Sequence, residues 1–181
     1  MIVFLRHADD EVGSVESGCE HDHAITKKGR KESKKFMKAF VKKYGQPDEI
    51  RCTPFRRGTQ TLEAMRKHLS DKVKITIDPD LSRFFNNSEK RNPGVHKDTL
   101  KYKPPIMESR KDFHKRNKNY FKQLKKDGYL EKDKLIIVLT HFLVLKDAAF
   151  ALGVSLPEKY DFLEYFVLRS NKKGEIVRVD K

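Results

Sequence analysis

Cysteine is scarce in this chain of 181 residues: there are only two, Cys19 and Cys52, too few for a disulfide framework. They form no C-x-x-C pair, which removes the usual structural zinc site and leaves packing as the source of stability. The chain also lacks any apolar run approaching the roughly 18 residues of a membrane span. Its start, Met1 to Leu5, runs straight into Arg6 and His7 without the layout of a secretory signal. A soluble, cytoplasmic protein with no membrane partner is expected. Internal repeats, low-complexity tracts and interdomain linkers are missing too, so one domain over residues 1–181 is expected.

Acidic residues are the minority charge, with 26 Asp and Glu against 40 Lys and Arg and a formal net charge of +14. A hydrophobic share of 37% with 12 Phe and 6 Tyr still provides a core, which separates the chain from charged disordered sequences. Most of the surplus lies in Lys27–Lys43 and Arg110–Lys126. Both segments read as amphipathic helices, with Phe36, Met37, Phe40, Val41 and Tyr44 on one face of the first and Phe113, Tyr120, Phe121 and Leu124 on one face of the second. Lysines opposite an apolar stripe usually cover a solvated face, so nucleic acid stays open as a partner without being favoured.

Short apolar runs alternate with helical patterns, the rhythm of an α/β fold with a mostly parallel sheet. Strands are predicted at 2–5, 48–52, 73–77 and 135–139, with a closing hairpin at 164–170 and 175–179. Helices are predicted from about 26 to 45, from Pro54 to about 69 with Thr53 as N-cap, over 110–126, and over an all-round apolar segment, 142–152, that stops at Gly153. Residues from about 78 to 107 read as an irregular insertion, which in a compact domain is more often functional than accidental.

In open parallel sheets ligands bind beyond the carboxyl ends of the strands. Three predicted ends carry chemistry: Arg6-His7, Thr53 to Arg57, and Thr140-His141. Guanidinium groups bind phosphate oxygens in bidentate fashion, and a neutral imidazole among them can attack phosphorus. A second histidine can stabilise the charge of the transition state. Each residue alone has a plainer reading, as a polar strand end or a solvated charge; their joint placement is what raises them. Two other chemistries have candidate residues. Cys52 fails as a cysteine nucleophile because its loop needs arginine where Gly58 stands. His21, Asp22 and His23, with Asp9 and Asp10, have the residue types of a metal site.

The motifs Phe4-Leu5-Arg6-His7-Ala8, Ile25-Thr26-x-x-Gly29, Thr53-Pro54-Phe55-x-Arg57-x-x-Gln60-Thr61 and Leu139-Thr140-His141 follow in order a pattern that resembles the histidine phosphatase superfamily. Glu108-Ser109-x-x-Asp112-Phe113-x-x-Arg116 looks like a further element of it, and Asp22 stands where an aspartate often precedes the Ile-Thr segment. The likeness runs from residue 2 to about 153, and the short length is closest to small phosphohistidine phosphatases. It implies a phosphoglycerate mutase-like, three-layer α/β/α sandwich with His7 as the phosphorylated nucleophile. Arg6, Arg57 and His141 would complete the phosphate pocket, with no metal or other cofactor. The substrate would be a phosphorylated small molecule or a phosphoprotein.

Three departures from the family pattern matter. Ala8 and Gly13 replace the usual glycine and asparagine after the histidine. Leu81-Ser82-Arg83 stands where the family often carries the glutamate that serves as general acid. Losing an acid costs alkyl phosphates about 10²- to 10⁴-fold and aryl phosphates and phosphoramidates less. A carboxylate of Asp9, Asp10, Glu11, Glu20 or Asp22 is an alternative acid, and Arg83 is a candidate ligand for a second anionic group of the substrate. A weakly catalytic phosphate-binding module and a phosphoglycerate mutase remain the alternative functions.

Overall fold

The structure is a computed structural model that describes residues 1–10, 18–130, 133–156, 160–173 and 175–179. Among them, six strands form one sheet: β1 (Ile2–Arg6), β2 (Glu49–Cys52), β3 (Lys74–Ile77), β4 (Ile136–Thr140), β5 (Tyr165–Ser170) and β6 (Ile176–Arg178), in the order β3-β2-β4-β1-β5-β6. The four strands from β3 to β1 pair in parallel, and β5 runs antiparallel to both β1 and β6. Antiparallel β5 and β6 are the expected closing hairpin. Gly174 lies outside the described residues.

Helices cover both faces. Ile2, Phe4, Val138, Phe166 and Leu168 pack against α5 (Arg110–Lys126) and α6 (Phe142–Ala151) through Phe113, Phe121, Leu124, Val144, Leu145 and Ala148. On the other face Val3, Leu5, Ile50, Ile137, Leu139 and Val167 meet Met37 and Phe40 of α1 (Lys27–Tyr44) and Leu62 and Met65 of α2 (Arg56–Met65). The central strands read as continuous apolar runs because both faces are buried. Phe4 shows the packing, stacked on Phe166 at 4.7 Å and edge-on to Phe121 at 5.5 Å. The lysines of α1 and α5 lie on the faces away from these contacts. Among the described residues no helix is long and apolar enough to cross a membrane.

Three expectations are corrected. The helix expected from Pro54 to 69 begins two residues later, at Arg56, and gives way at Met65 to a 3₁₀ turn, Arg66–His68. Thr53 does not cap it: Thr53 N continues the sheet ladder to Leu139 O at 3.0 Å, and its hydroxyl faces His141. The insertion at 78–107 is not structureless. It contains a 3₁₀ turn at Pro79–Leu81, α3 (Asn87–Arg91) and α4 (Lys97–Leu100). These pieces are too short to show a helical period, and side-chain caps hold them, including an Asn86–Glu89 capping box. Finally, α6 is not buried all round, since Phe150 is 82% exposed and Leu143 42%. It does end as expected, with Gly153 at φ 72°.

Candidate active site

The three chemistry-bearing strand ends belong to the three adjacent strands β2, β4 and β1. Leu139 of β4 is in register with Leu5 of β1 and Cys52 of β2, so the ladders run out together. His7 N then donates to Thr140 O at 3.0 Å, as Thr53 N does to Leu139 O. His7, Thr53 and His141 therefore leave the sheet side by side although they lie far apart in sequence.

His7 is buried, and its Nδ1 lies 2.8 Å from Ala8 O. A carbonyl oxygen only accepts, so Nδ1 carries the hydrogen and the lone pair is on Nε2. Burial first, and then the positive charge of Arg57, push the His7 pKa down to about 3, which keeps the ring neutral near pH 7. The His141 ring meets it edge to face at a centroid distance of 5.2 Å. Burial, Arg57 and His7 hold His141 well below its ordinary pKa, and its Nε2 is 3.0 Å from Thr53 Oγ1.

Two arginines converge on the same place. Arg57 Nη1 donates to Asp10 Oδ2 at 2.6 Å, while its buried Nε has no partner among the described residues. Arg6 donates from Nη1 to Tyr160 O and lies 4.2 Å above the Phe162 ring, and its buried Nε likewise has no acceptor among the described residues. Leaving a buried donor unpaired costs about 1–3 kcal/mol. Arg6, His7, Arg57, Arg83 and His141, the five residues singled out from the sequence, all line one cavity of about 240 Å³, with Phe84, Phe142 and Leu143 completing it.

Arg83 is fixed in that wall by donation to Glu89, to His21 O at 3.1 Å and to Phe84 O at 3.2 Å, and it stacks on Phe85 at 4.6 Å. The carboxylates weighed as substitute acids have other work. Asp10 is paired with Arg57; burial pushes its pKa up, but Arg57 prevails and holds it below the ordinary value. Asp9 accepts from Thr26 Oγ1 at 2.8 Å. Glu20 accepts from Gly18 N at 3.0 Å. Asp22 is fully buried and accepts from Arg56 N at 2.8 Å, His96 N at 3.2 Å and Thr99 Oγ1 at 2.6 Å. It caps α2 from a distant loop and ties α4 to it. Glu11 and Gly13 lie outside the described residues.

Of the residues with the types of a metal site, His21 Nδ1 is 3.5 Å from Glu89, while His23 lies between Glu20 O, 2.5 Å from its Nε2, and Asp10 Oδ2, 3.6 Å from its Nδ1. Among the described residues no group of three or more His, Cys, Asp or Glu is placed to hold a metal ion. Cys52 is buried in the core, where burial pushes its thiol pKa up, away from the thiolate a nucleophile needs.

Two residues of the Thr53–Thr61 motif have supporting roles that the motif alone does not show. Thr61 Oγ1 accepts from Ala8 N at 3.0 Å and donates to Arg57 O at 2.5 Å, joining the end of β1 to α2. Phe55 meets the edge of His141 at 5.5 Å. The Ile25-Thr26-x-x-Gly29 motif also has a structural role. Thr26 caps α1 by accepting from Gly29 N at 2.8 Å and binds the Asp9 carboxylate, and a Cβ at Gly29 would collide with Asp9 O. The motif thus pins the segment that presents Asp10 to Arg57.

Comparison with known proteins bears on the family and the fold. The family model of the histidine phosphatase superfamily (branch 1) matches residues 2–163. The sequence finds no match among curated proteins. Among solved structures, the fold resembles the protein histidine phosphatase SixA complexed with tungstate, at 14% identity and a TM-score of 0.64, covering 98% of this chain and 93% of that one. It also resembles the ecdysone phosphate phosphatase of Bombix mori in complex with tungstate, at 15% identity, a TM-score of 0.68 and coverage of 97% and 91%. A mycobacterial glucosyl-3-phosphoglycerate phosphatase complexed with VO3 aligns at 17% identity and a TM-score of 0.66, over 98% and 95%. At these identities the neighbours establish a shared phosphoglycerate mutase-like fold, while the family match spans nearly the whole chain. This protein belongs to the histidine phosphatase superfamily, branch 1.

Proposed function

We propose that the protein is a phosphatase that works through a phosphohistidine on His7, the chain acting as one catalytic domain. The observation that carries this reading is the His7 ring itself: Nδ1–H is held by Ala8 O, Nε2 is unprotonated, and Arg6 and Arg57 line the same cavity. Neighbours solved with tungstate and VO3 support an oxyanion pocket here.

Arg6 and Arg57 bind the phosphoryl oxygens as forks, which orients phosphorus toward Nε2. The Nε2 lone pair attacks phosphorus, the bond to the leaving group breaks, and its electron pair departs with that group. Nδ1–H stays on Ala8 O, so the charge on the phosphorylated ring is held by a fixed acceptor. Water then attacks phosphorus, the P–N bond returns its pair to Nε2, and phosphate leaves with the water's surplus proton passing to solvent. His141, fixed by Thr53 and Phe55, faces the charge that builds on the phosphoryl oxygens.

No carboxyl group stands among the described residues that line the cavity, so the reading favours leaving groups that need little protonation. Aryl phosphates and phosphohistidine fit this; alkyl phosphates do not. The substrate would be a phosphorylated small molecule or a phosphoprotein. Turnover of p-nitrophenyl phosphate and of a phosphohistidine peptide, each abolished in His7→Ala, is the expected result. Tight, salt-sensitive binding of polyanions with no turnover of either would instead favour a binding module.

A further inference from the structure

We propose that Arg83 forms a leaving-group subsite that directs the His7 pocket toward phosphoric anhydrides, in which the transferred phosphoryl group is joined through oxygen to a second phosphate or a carboxyl group. The proposal rests on His7 being the nucleophile and goes further by naming the group on the other side of the breaking bond.

Arg83 is a third cation in the wall of a cavity where Arg6 and Arg57 already suffice for one phosphoryl group. It is built in place rather than draped over the surface. Glu89 receives one of its N–H groups and is itself held by Asn86 N at 2.8 Å, and Phe85 supports the guanidinium plane. A guanidinium has five N–H groups, of which three are committed to Glu89, His21 O and Phe84 O. The other two have no acceptor among the described residues. The charge of Arg83 also reaches the pocket, since it is among the groups that hold His141 neutral.

The cavity pairs this cation with a shortage of protons to give. Its two histidines are neutral near pH 7, and none of the described residues that line it carries a carboxyl group. An alcohol leaving without a proton departs as an unstable alkoxide. A phosphate or carboxylate departs as a stable anion and carries its negative charge with it. An anhydride therefore answers both features at once: it needs no acid, and it supplies the anion that Arg83 can bind.

The step balances without a co-reactant. The Nε2 lone pair forms the P–N bond as the bond from phosphorus to the bridging oxygen breaks. That electron pair stays on the oxygen, and the phosphate or carboxylate leaves as an anion against Arg83. Water then hydrolyses the phosphohistidine.

The test compares kcat/KM for pyrophosphate, acetyl phosphate, p-nitrophenyl phosphate and glycerol phosphate, without added divalent metal, in the wild type, Arg83→Gln and Glu89→Gln. Both anhydrides should exceed glycerol phosphate, and Arg83→Gln should lower their turnover about 10- to 100-fold, well beyond its effect on p-nitrophenyl phosphate. Loss confined to pyrophosphate would narrow the subsite to a second phosphate, and loss confined to acetyl phosphate would narrow it to a carboxyl group. Should Arg83→Gln fail to fold, Glu89→Gln decides. Removing the counter-charge should raise the ratio of anhydride to p-nitrophenyl phosphate turnover, and an unchanged or lower ratio overturns the proposal. Equal losses on all four substrates in Arg83→Gln also overturn it. Survival of p-nitrophenyl phosphate turnover in His7→Ala would defeat the underlying reading instead.

Discussion

Thr53 Oγ1 stands 3.0 Å from His141 Nε2, and Thr53 in turn packs against a position that has no side chain, Gly58. A Cβ at Gly58 would run into Thr53 Cγ2. Gly58→Ala should therefore displace the threonine that orients His141, destabilising the protein by about 1–3 kcal/mol and lowering kcat/KM on the order of 10-fold. Thr53→Ser removes the obstructing methyl and keeps the hydroxyl. The double variant should recover stability and activity relative to Gly58→Ala, as read by thermal unfolding and p-nitrophenyl phosphate turnover.

The Arg57–Asp10 pair, with side chains 9% and 6% exposed, should couple strongly. Arg57→Met leaves Asp10 buried without its cation and should cost about 3–5 kcal/mol, much of which Asp10→Asn in the same chain should restore. Activity should not follow stability. Arg57→Met should lower kcat by about 10²- to 10³-fold with or without Asp10→Asn, because the phosphoryl ligand is gone either way. A double-mutant cycle read by urea denaturation and by kinetics checks both halves.

These relationships show what the sequence could and could not reveal. The strands were legible because burial on both faces turns Ile136–Leu139 into an unbroken apolar run, and the strand ends then named Arg6, His7, Arg57 and His141. Arg83 entered only through the family pattern. The start of α2 was misplaced because its cap comes from Asp22, 34 residues away, rather than from Thr53 beside it. Local cap rules cannot see a long-range partner. The same holds for Thr61: the motif contains it, but the bonds by which its hydroxyl joins Ala8 to Arg57 reach across the chain. Residues 78–107 hid α3 and α4 because helices of four and five residues have no periodicity to read.

Asp22 should behave as a cap and not as an acid. Asp22→Asn weakens the bonds to Arg56 N, His96 N and Thr99 and should lower stability by about 1–3 kcal/mol. The shape of the kcat/KM pH profile should stay that of the wild type. Loss of the alkaline limb would identify Asp22 as a proton donor and contradict the assignment.

Stability should fall in acid, in a window set by the buried histidines. Above about pH 6.5 His7 is neutral in both the folded and unfolded states. Below that the unfolded chain takes up a proton that folded His7 refuses until about pH 3, so stability drops across this interval. His141 acts in the same direction, and so does Asp10, whose lowered pKa contributes stability that is lost at still lower pH. Denaturation midpoints at pH 7.5, 6, 5 and 4 should decline, and His7→Asn should flatten the decline. Parallel profiles for the two proteins would remove His7 as a cause.

The covalent step is tested most directly by trapping it. The protein is mixed with p-nitrophenyl phosphate, quenched in alkali, where phosphohistidine survives, and mapped by peptide mass spectrometry beside a His7→Asn control. The account predicts one acid-labile phosphoryl group on the peptide containing His7, absent from the control. Turnover with no phosphorylated His7, or with the label on another residue, would contradict it.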